Sequence, residues 1–363
     1  MIKRIFFLSI IIGLLLGTAL GVQNRNAAPG TINVLPVRGN IYMLVGDGAN
    51  ITASVGRDGV LLVDTGTAEM SDKLIAAYKQ LAAAVNVAPV PATTCVGVNC
   101  TPGPGAIFGW TGPAFNQTTI ARGVAKPLRF IISTTPDPDH VGGNEKVRLS
   151  GESFTGGNIT GTIADSDRGA AILGHENLLT RMADAEAPAD AQPTETYLKE
   201  SYKLSAFFNG EGVQLFHVPA AHTDGDTVVW FRYSDVISTG EVFSTVRYPV
   251  IDLKRGGSIQ GELDALNKIL DIAYAEFRSE GGTMIIPGHG HLSDVGDVAY
   301  YRNMVSIIRD RIQDLVKKGM TLEQVKAAKP TLDYDGRWGS NTGPWTTSMF
   351  IEAVYQSLKA KKQ

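Results

Sequence analysis

Short apolar runs punctuated by glycine, proline, asparagine and aspartate fill the first third of the chain. Thr31 to Leu35, Asn40 to Val45 and Ile51 to Val55 have the length and flanking turns of β-strands, and Pro36 stops the first. Gly59-Val60-Leu61-Leu62-Val63 then runs into Asp64-Thr65-Gly66, the pattern of a buried strand opening into a loop. From Ser71 to about Ala84 the period lengthens, with Leu74, Ala77, Tyr78 and Leu81 at helical spacing. Leu128 to Thr134 is the next strand. Strand-like runs recur at Ala170 to Leu173, Val213 to Val218, Thr227 to Arg232, Val236 to Ser238 and Thr283 to Ile286. One predicted helix carries Leu263, Leu266, Leu270, Ala273 and Phe277 on one face. A second, from about Val298 to Lys318, carries Tyr301, Met304, Ile308, Ile312 and Leu315. Thr321 and Gln324 fit a capping box for a short helix that Pro330 stops. A loop rich in glycine, asparagine and tryptophan, Asp333 to Trp345, leads to a last helix reaching about Leu358. No internal repeat of the kind that marks solenoids is visible.

Two segments break this rhythm. Met1-Ile2-Lys3-Arg4, the apolar run from Ile5 to about Leu20 and the polar stretch from Val22 read as a secretory signal peptide, residues 1–21, cleaved near Gly21. The alternative is an uncleaved anchor helix, since the run approaches the ~17 residues that span a thin bilayer. The second segment, about 87–116, is rich in proline, glycine and threonine, too long for an ordinary connection, and reads as a surface insertion. It holds both cysteines, Cys95 and Cys100, which in an oxidising compartment would close a small disulfide loop. The chain is therefore expected to be exported, periplasmic or extracellular, with no stable membrane insertion after signal cleavage. Residues 22–320 form the expected main domain, and 321–363 a helical appendage packed on it.

Composition narrows the partners. With 33 basic against 36 acidic residues the net charge is −3, so no basic field exists to attract a phosphate backbone, and nucleic acid is excluded as a partner. A small-molecule substrate is the expected partner, and the oligomeric state is open. The chain is 363 residues long and 44% hydrophobic, enough for a sizeable core. Its forty glycines imply many tight turns or close backbone approaches.

Four polar clusters each follow an apolar run. They are Ser133-Thr134-Thr135-Pro136-Asp137-Pro138-Asp139-His140-Val141-Gly142-Gly143, Ala221-His222-Thr223-Asp224-Gly225-Asp226, Ser238-Thr239-Gly240-Glu241 and Ile286-Pro287-Gly288-His289-Gly290-His291. Loops at strand ends aim several short side chains at one point, which is what a metal ion requires.

In these residues the sequence resembles the metallo-β-lactamase fold superfamily, from about Asn33 to about Gly290. The resemblance rests on Asp58 to Gly66, Asp139-His140-Val141-Gly142-Gly143, the Ala-x-His ending at His222, Thr239-Gly240 before an acid, and Pro287-Gly288-His289-Gly290, in the family's order. It implies an α+β (αββα) fold, a sandwich of two mixed β-sheets flanked by helices, with a metal site at the sandwich edge. The family's His-x-His-x-Asp-His is here Thr135-Pro136-Asp137-Pro138-Asp139-His140, so both leading histidines are absent. By position, the resemblance implies that Asp139, His140 and His289 would make one metal site, with Glu241 in place of the usual aspartate. Thr135, Asp137 and His222 are remnants of another, where Asp137, His222 and Glu241 would hold a second ion. The implied cofactor is zinc, one or two ions, with manganese or iron as options because the set is oxygen-rich.

The implied activity is an exported metal-dependent hydrolase. It would use a metal-bound hydroxide, oriented by Asp139, on a small carbonyl substrate: an ester, lactone, lactam or thioester. The missing histidines motivate a rival, a metal-poor, non-hydrolytic binding or accessory protein that keeps the fold. Redox chemistry at an iron site is a third reading. It would need a flavin or electron-carrier partner, and no Gly-x-Gly-x-x-Gly lies between a strand and a helix.

Asp64 reads either as a carboxylate that orients a histidine ligand or as a plain polar strand end. His291 is either close to the site or an exposed loop histidine. His175 lines the cleft or is structural, and His217 reads as a core residue. Thr223 and Asp226 are expected to fix the His222 loop through backbone hydrogen bonds. Tyr334, Trp338, Trp345 and Phe350 either pack the C-terminal segment or wall a pocket.

Overall fold

Residues 30–86, 125–152, 169–273 and 282–360 are described by the computed structural model, and within them the apolar runs assemble into two sheets. The expected signal peptide, the insertion with Cys95 and Cys100, and Phe277 lie outside the described residues. The first sheet contains, in spatial order, β1 (Asn33–Arg38), β2 (Ile41–Val45), β3 (Ile51–Gly56), β4 (Gly59–Val63), β5 (Leu128–Ile132), β6 (Ala171–His175) and β7 (Glu195–Tyr197). Its pairings are antiparallel up to β4 and parallel from there. The second contains β8 (Ser201–Phe208), β9 (Glu211–His217), β10 (Thr227–Phe231), β11 (Val236–Ser238), β12 (Met284–Ile286) and β13 (Ser293–Asp294), antiparallel except for β11 beside β12. The helices are α1 (Ser71–Asn86), α2 (Pro138–Val141), α3 (Asn144–Leu149), α4 (Glu176–Asp184), α5 (Ile259–Ile272), α6 (Val295–Lys317), α7 (Leu322–Ala327), α8 (Asp335–Trp338) and α9 (Thr347–Ala360).

Period-two alternation sorts the strand residues into layers. On β4, Leu61 and Val63 enter the space between the sheets with Ile132, Val229, Phe231 and Ile286. Val60 and Leu62 face the other way, onto Leu74 and Tyr78 of α1. That is why β4 is apolar and buried throughout. On the far side Val228, Ile237 and Ile285 pack against Leu266 of α5, Tyr301 and Ile308 of α6, and Phe350 of α9. The order is helix, sheet, sheet, helix, the α+β sandwich expected from the sequence. Val325 and Trp338 join the same core, so the segment after Met320 shares the hydrophobic interior of the main domain.

Local signals place most ends. Asp294 caps α6 by accepting from the Asp297 amide, and the Thr321–Gln324 capping box opens α7. α5 starts earlier than its apolar face predicts, at Ile259, because Ser258 accepts from the Gly261 amide. β7 and β8 are not foreshadowed by the hydrophobic pattern. β8 is an edge strand paired only with β9, and it leaves Tyr202 and Phe207 exposed, so no clean alternation marks it.

Glu262 on α5 is fully buried, and neither carboxyl oxygen has a hydrogen-bond partner among the described residues. Burial, and then the nearby Asp226 carboxylate, pushes this group well above 4.5. The folded chain thus keeps a proton that the unfolded chain has lost. Stability is unaffected below about 4.5 and falls as the pH rises from there toward the raised value. Glu262→Met is expected to stabilise the fold by about 1–3 kcal/mol at neutral pH. In thermal melts the gain should grow with pH; a gain equal at acidic and neutral pH would contradict this account.

Candidate metal centre

Five loops converge at one edge of the sandwich, those following β4, β5, β9, β11 and β12. After β5, Pro138 occupies the first turn of α2, where its fixed φ favours helix, and this single turn carries Asp139 and His140. At the end of β4, Asp64 has φ +63°, a left-handed conformation that aspartate tolerates better than most residues. From there its carboxylate accepts from the Thr134 amide at 2.8 Å and the Thr134 hydroxyl at 2.7 Å, and contacts His140 Nδ1 at 2.8 Å. That grip leaves His140 Nε2 facing inward.

On the opposite side Gly240, with φ +54°, turns the chain so that Glu241 points into the centre. Gly288 brings the His289 loop against that turn; a Cβ there would sit 2.4 Å from the Gly240 carbonyl oxygen. Glu241 Oε2 is consequently 3.2 Å from His140 Nε2 and 3.1 Å from His289 Nε2, while Oε1 accepts from Arg247 Nη2 at 2.6 Å. His289 Nε2 also lies 3.2 Å from Asp139 Oδ2, yet it is buried and aligned for a hydrogen bond with neither carboxylate. The ligand atoms of Asp139, His140 and His289 all fall within 4.8 Å of one another. An orphaned imidazole nitrogen ringed by carboxylates and a second imidazole fits a divalent cation.

Asn50 ties this edge together and has no sequence signal beyond a loop position. Its side chain donates to Pro287 O at 2.9 Å and Gly290 O at 3.0 Å, its amide donates to Gly288 O, and the Ala49 amide donates to Asp139 O. The His289 turn and α2 are therefore held by one loop.

Charge follows from these contacts. Burial disfavours a charged His140, but Asp64 and then Glu241 outweigh it and raise the group well above 6.5. Burial likewise opposes charge on His289, and Asp139 and Glu241 raise it. Glu241, against its own burial, is held well below 4.5 by His140, His289 and Arg247. A cation must therefore displace protons from the imidazoles, and its affinity should climb as the pH rises toward their raised values. Calorimetric zinc titrations near pH 7, in buffers of different ionisation enthalpy, are expected to show release of about one proton or more per ion. Buffer-independent heats would contradict it.

Asp137 and His222 form a second cluster. His222 Nε2 is 2.6 Å from Asp137 Oδ2 and its Nδ1 is 2.8 Å from Val250 O. Arg255 Nη2 donates to Asp137 Oδ1, and Arg255 Nε donates to Asp252 Oδ2 at 2.7 Å. Burial would raise the Asp137 carboxyl, but His222 and Arg255 hold it well below the carboxylate range. Against burial, the Asp137 carboxylate pushes His222 up to about 9. Thr135 is fully buried beside them in sequence and offers only a hydroxyl. Thr223 donates to Asp226 from its amide and hydroxyl, both at 2.7 Å, which fixes the His222 turn. His291 belongs to neither cluster: it is exposed, with Nδ1 3.0 Å from Leu292 O. His175 is buried and stacks on half-buried His217 at 3.5 Å, and Trp338 and Phe350 lie in the core. Arg247 and Arg255, unsuspected from sequence, are lone arginines in loops with no pattern to mark them.

Among solved structures, a metallo-beta-lactamase from Pontibacter korlensis matches 76% of this chain over 99% of its own, with a TM-score of 0.51 at 12% identity. The chain has the metallo-β-lactamase fold. The DIM-1 metallo-beta-lactamase matches 76% of this chain over 97% of its own, with a TM-score of 0.48 at 11% identity. No family profile and no curated protein matches the sequence.

Proposed function

We propose that the chain is a metal-dependent hydrolase of a small carbonyl substrate, an ester, lactone, lactam or thioester. The observation that carries this is the convergence of Asp139, His140 and the orphaned His289 Nε2 at the sandwich edge. Asp139, His140 and His289 would hold the ion, with Glu241 as the fourth group. Two imidazoles suit zinc, and the carboxylate share also suits manganese or iron. A divalent ion bound there supplies Lewis-acid polarisation of the carbonyl and acidifies water. The rest is done by the chain. Asp64 fixes the His140 ring through Nδ1, so that Nε2 is presented to the ion. Asp139, with a third of its side chain exposed, is open to water and would accept the proton of the attacking molecule. Arg247 neutralises Glu241 and holds it in place.

The similar structures named above are beta-lactamases, so a lactam belongs on the substrate panel. Protein purified without chelators is expected to contain divalent metal and to hydrolyse at least one of a lactam, a lactone and a thioester, with a phosphodiester as control. Chelation should abolish the activity and zinc restore it. Metal-free protein inert on the whole panel would favour the binding-protein reading instead. Export is part of the proposal, supported by Lys3-Arg4 and the apolar run behind them; cell fractionation that leaves the chain in the cytoplasm would overturn that part alone.

A further inference from the structure

We infer that this protein supplies the second cation of its centre from its own side chains: Arg255 and His222 hold Asp137, and the site takes a single divalent ion on Asp139, His140 and His289. The inference rests on the metal-dependent reading above.

The groups expected from sequence to receive a second ion are Asp137, His222 and Glu241; Glu241 is turned to His140, His289 and Arg247, and the other two are engaged with each other and with Arg255. His222 Nδ1 faces the Val250 carbonyl and Nε2 faces the Asp137 carboxylate. Asp137 uses Oδ2 on His222 and Oδ1 on Arg255. Thr135 brings only a buried hydroxyl, which is outside the usual zinc ligand set.

Arg255 is built in. Its Nε donates to Asp252, whose Oδ1 accepts from the Lys254 and Arg255 amides and whose own amide donates to the His222 carbonyl. The Asp224 amide donates to the Arg255 carbonyl. The guanidinium is thereby locked against the same turn that carries His222, and it cannot lose its proton.

Charge points the same way. In the first cluster Asp64, Asp139 and Glu241 are balanced by Arg247 and one divalent ion. In the second, the guanidinium of Arg255 faces both Asp137 and Asp252, and its positive charge is permanent. A further divalent ion on Asp137 would stand beside that fixed positive charge in a largely buried place, where like charges are strongly unfavourable.

Metal-stripped full-length chain, loaded with zinc alone or manganese alone and desalted, provides the test through elemental analysis. About one ion per chain is expected for either metal. Two ions would overturn the inference and leave the hydrolase reading standing; none would overturn both. The triple variant Thr135→His, Asp137→His, Arg255→Ala, folded by circular dichroism, is expected to take about two zinc ions. A folded triple variant that stays at one would show that Arg255 is not what closes the position. If that variant does not fold, Arg255→Gln alone decides: a second, weaker zinc step in calorimetry is expected, and its absence overturns the inference.

Discussion

Asp139→Ala and His289→Ala are each expected to bring bound metal to near zero and to abolish hydrolysis with it. Asp139, His140 and His289 are the compact ligand group at the edge; removing one leaves two of them and Glu241, whose carboxylate is already shared with Arg247, too weak a set to hold an ion tightly. The loss should be selective. The Asp139 side chain is a third exposed, and its backbone carbonyl, which accepts from the Ala49 amide, survives the substitution. The metal-free melting transition of Asp139→Ala should therefore stay within about 1 kcal/mol of the parent chain. Elemental analysis, substrate turnover and a melt on the same samples separate a lost ion from a lost fold. Turnover retained without metal would place the chemistry elsewhere.

The second large effect is expected at Asp64. This carboxylate is almost fully buried and serves the Thr134 amide, the Thr134 hydroxyl and His140 Nδ1 at once. Asp64→Ala strands all three partners and places a Cβ residue without a compensating side chain at φ +63°. A destabilisation of about 3–5 kcal/mol is expected in denaturant titrations. Asp64→Asn tolerates the backbone and keeps an oxygen for Thr134, but it can present an amide N–H to His140 Nδ1. The proton is then favoured on Nε2, the atom needed for metal. Zinc affinity should fall about 10–100-fold, read by competition with a chelating dye, while the fold persists. Unchanged zinc affinity in Asp64→Asn would reduce Asp64 to a structural role.

What could be read from the sequence was local. Gly59 to Gly66, Asp139-His140 and Pro287-Gly288-His289 are contiguous strings in which an apolar strand hands over to a polar turn, and that pattern survives without coordinates. The partners that set the charge of the centre are not local. Arg255 meets Asp137 across 118 positions, and Asn50 reaches Pro287 across 237. A single arginine or asparagine in a loop has no period, so only the fold reveals what it faces. The same holds for the start of α5, where Gln260, Gly261 and Glu262 interrupt the apolar face and hide the first turn. It holds again for β8, whose pairing with β9 depends on backbone rather than on a buried stripe.

The ligands also have a distribution between layers. Asp139 and His140 follow β5 of one sheet, while Glu241 and His289 follow β11 and β12 of the other. An ion shared among them would work as a clasp across the open edge of a folded book. Its binding free energy would become free energy of keeping the two covers shut, and on the metal-dependent reading the chain's resistance to unfolding would rise with the supply of metal around it.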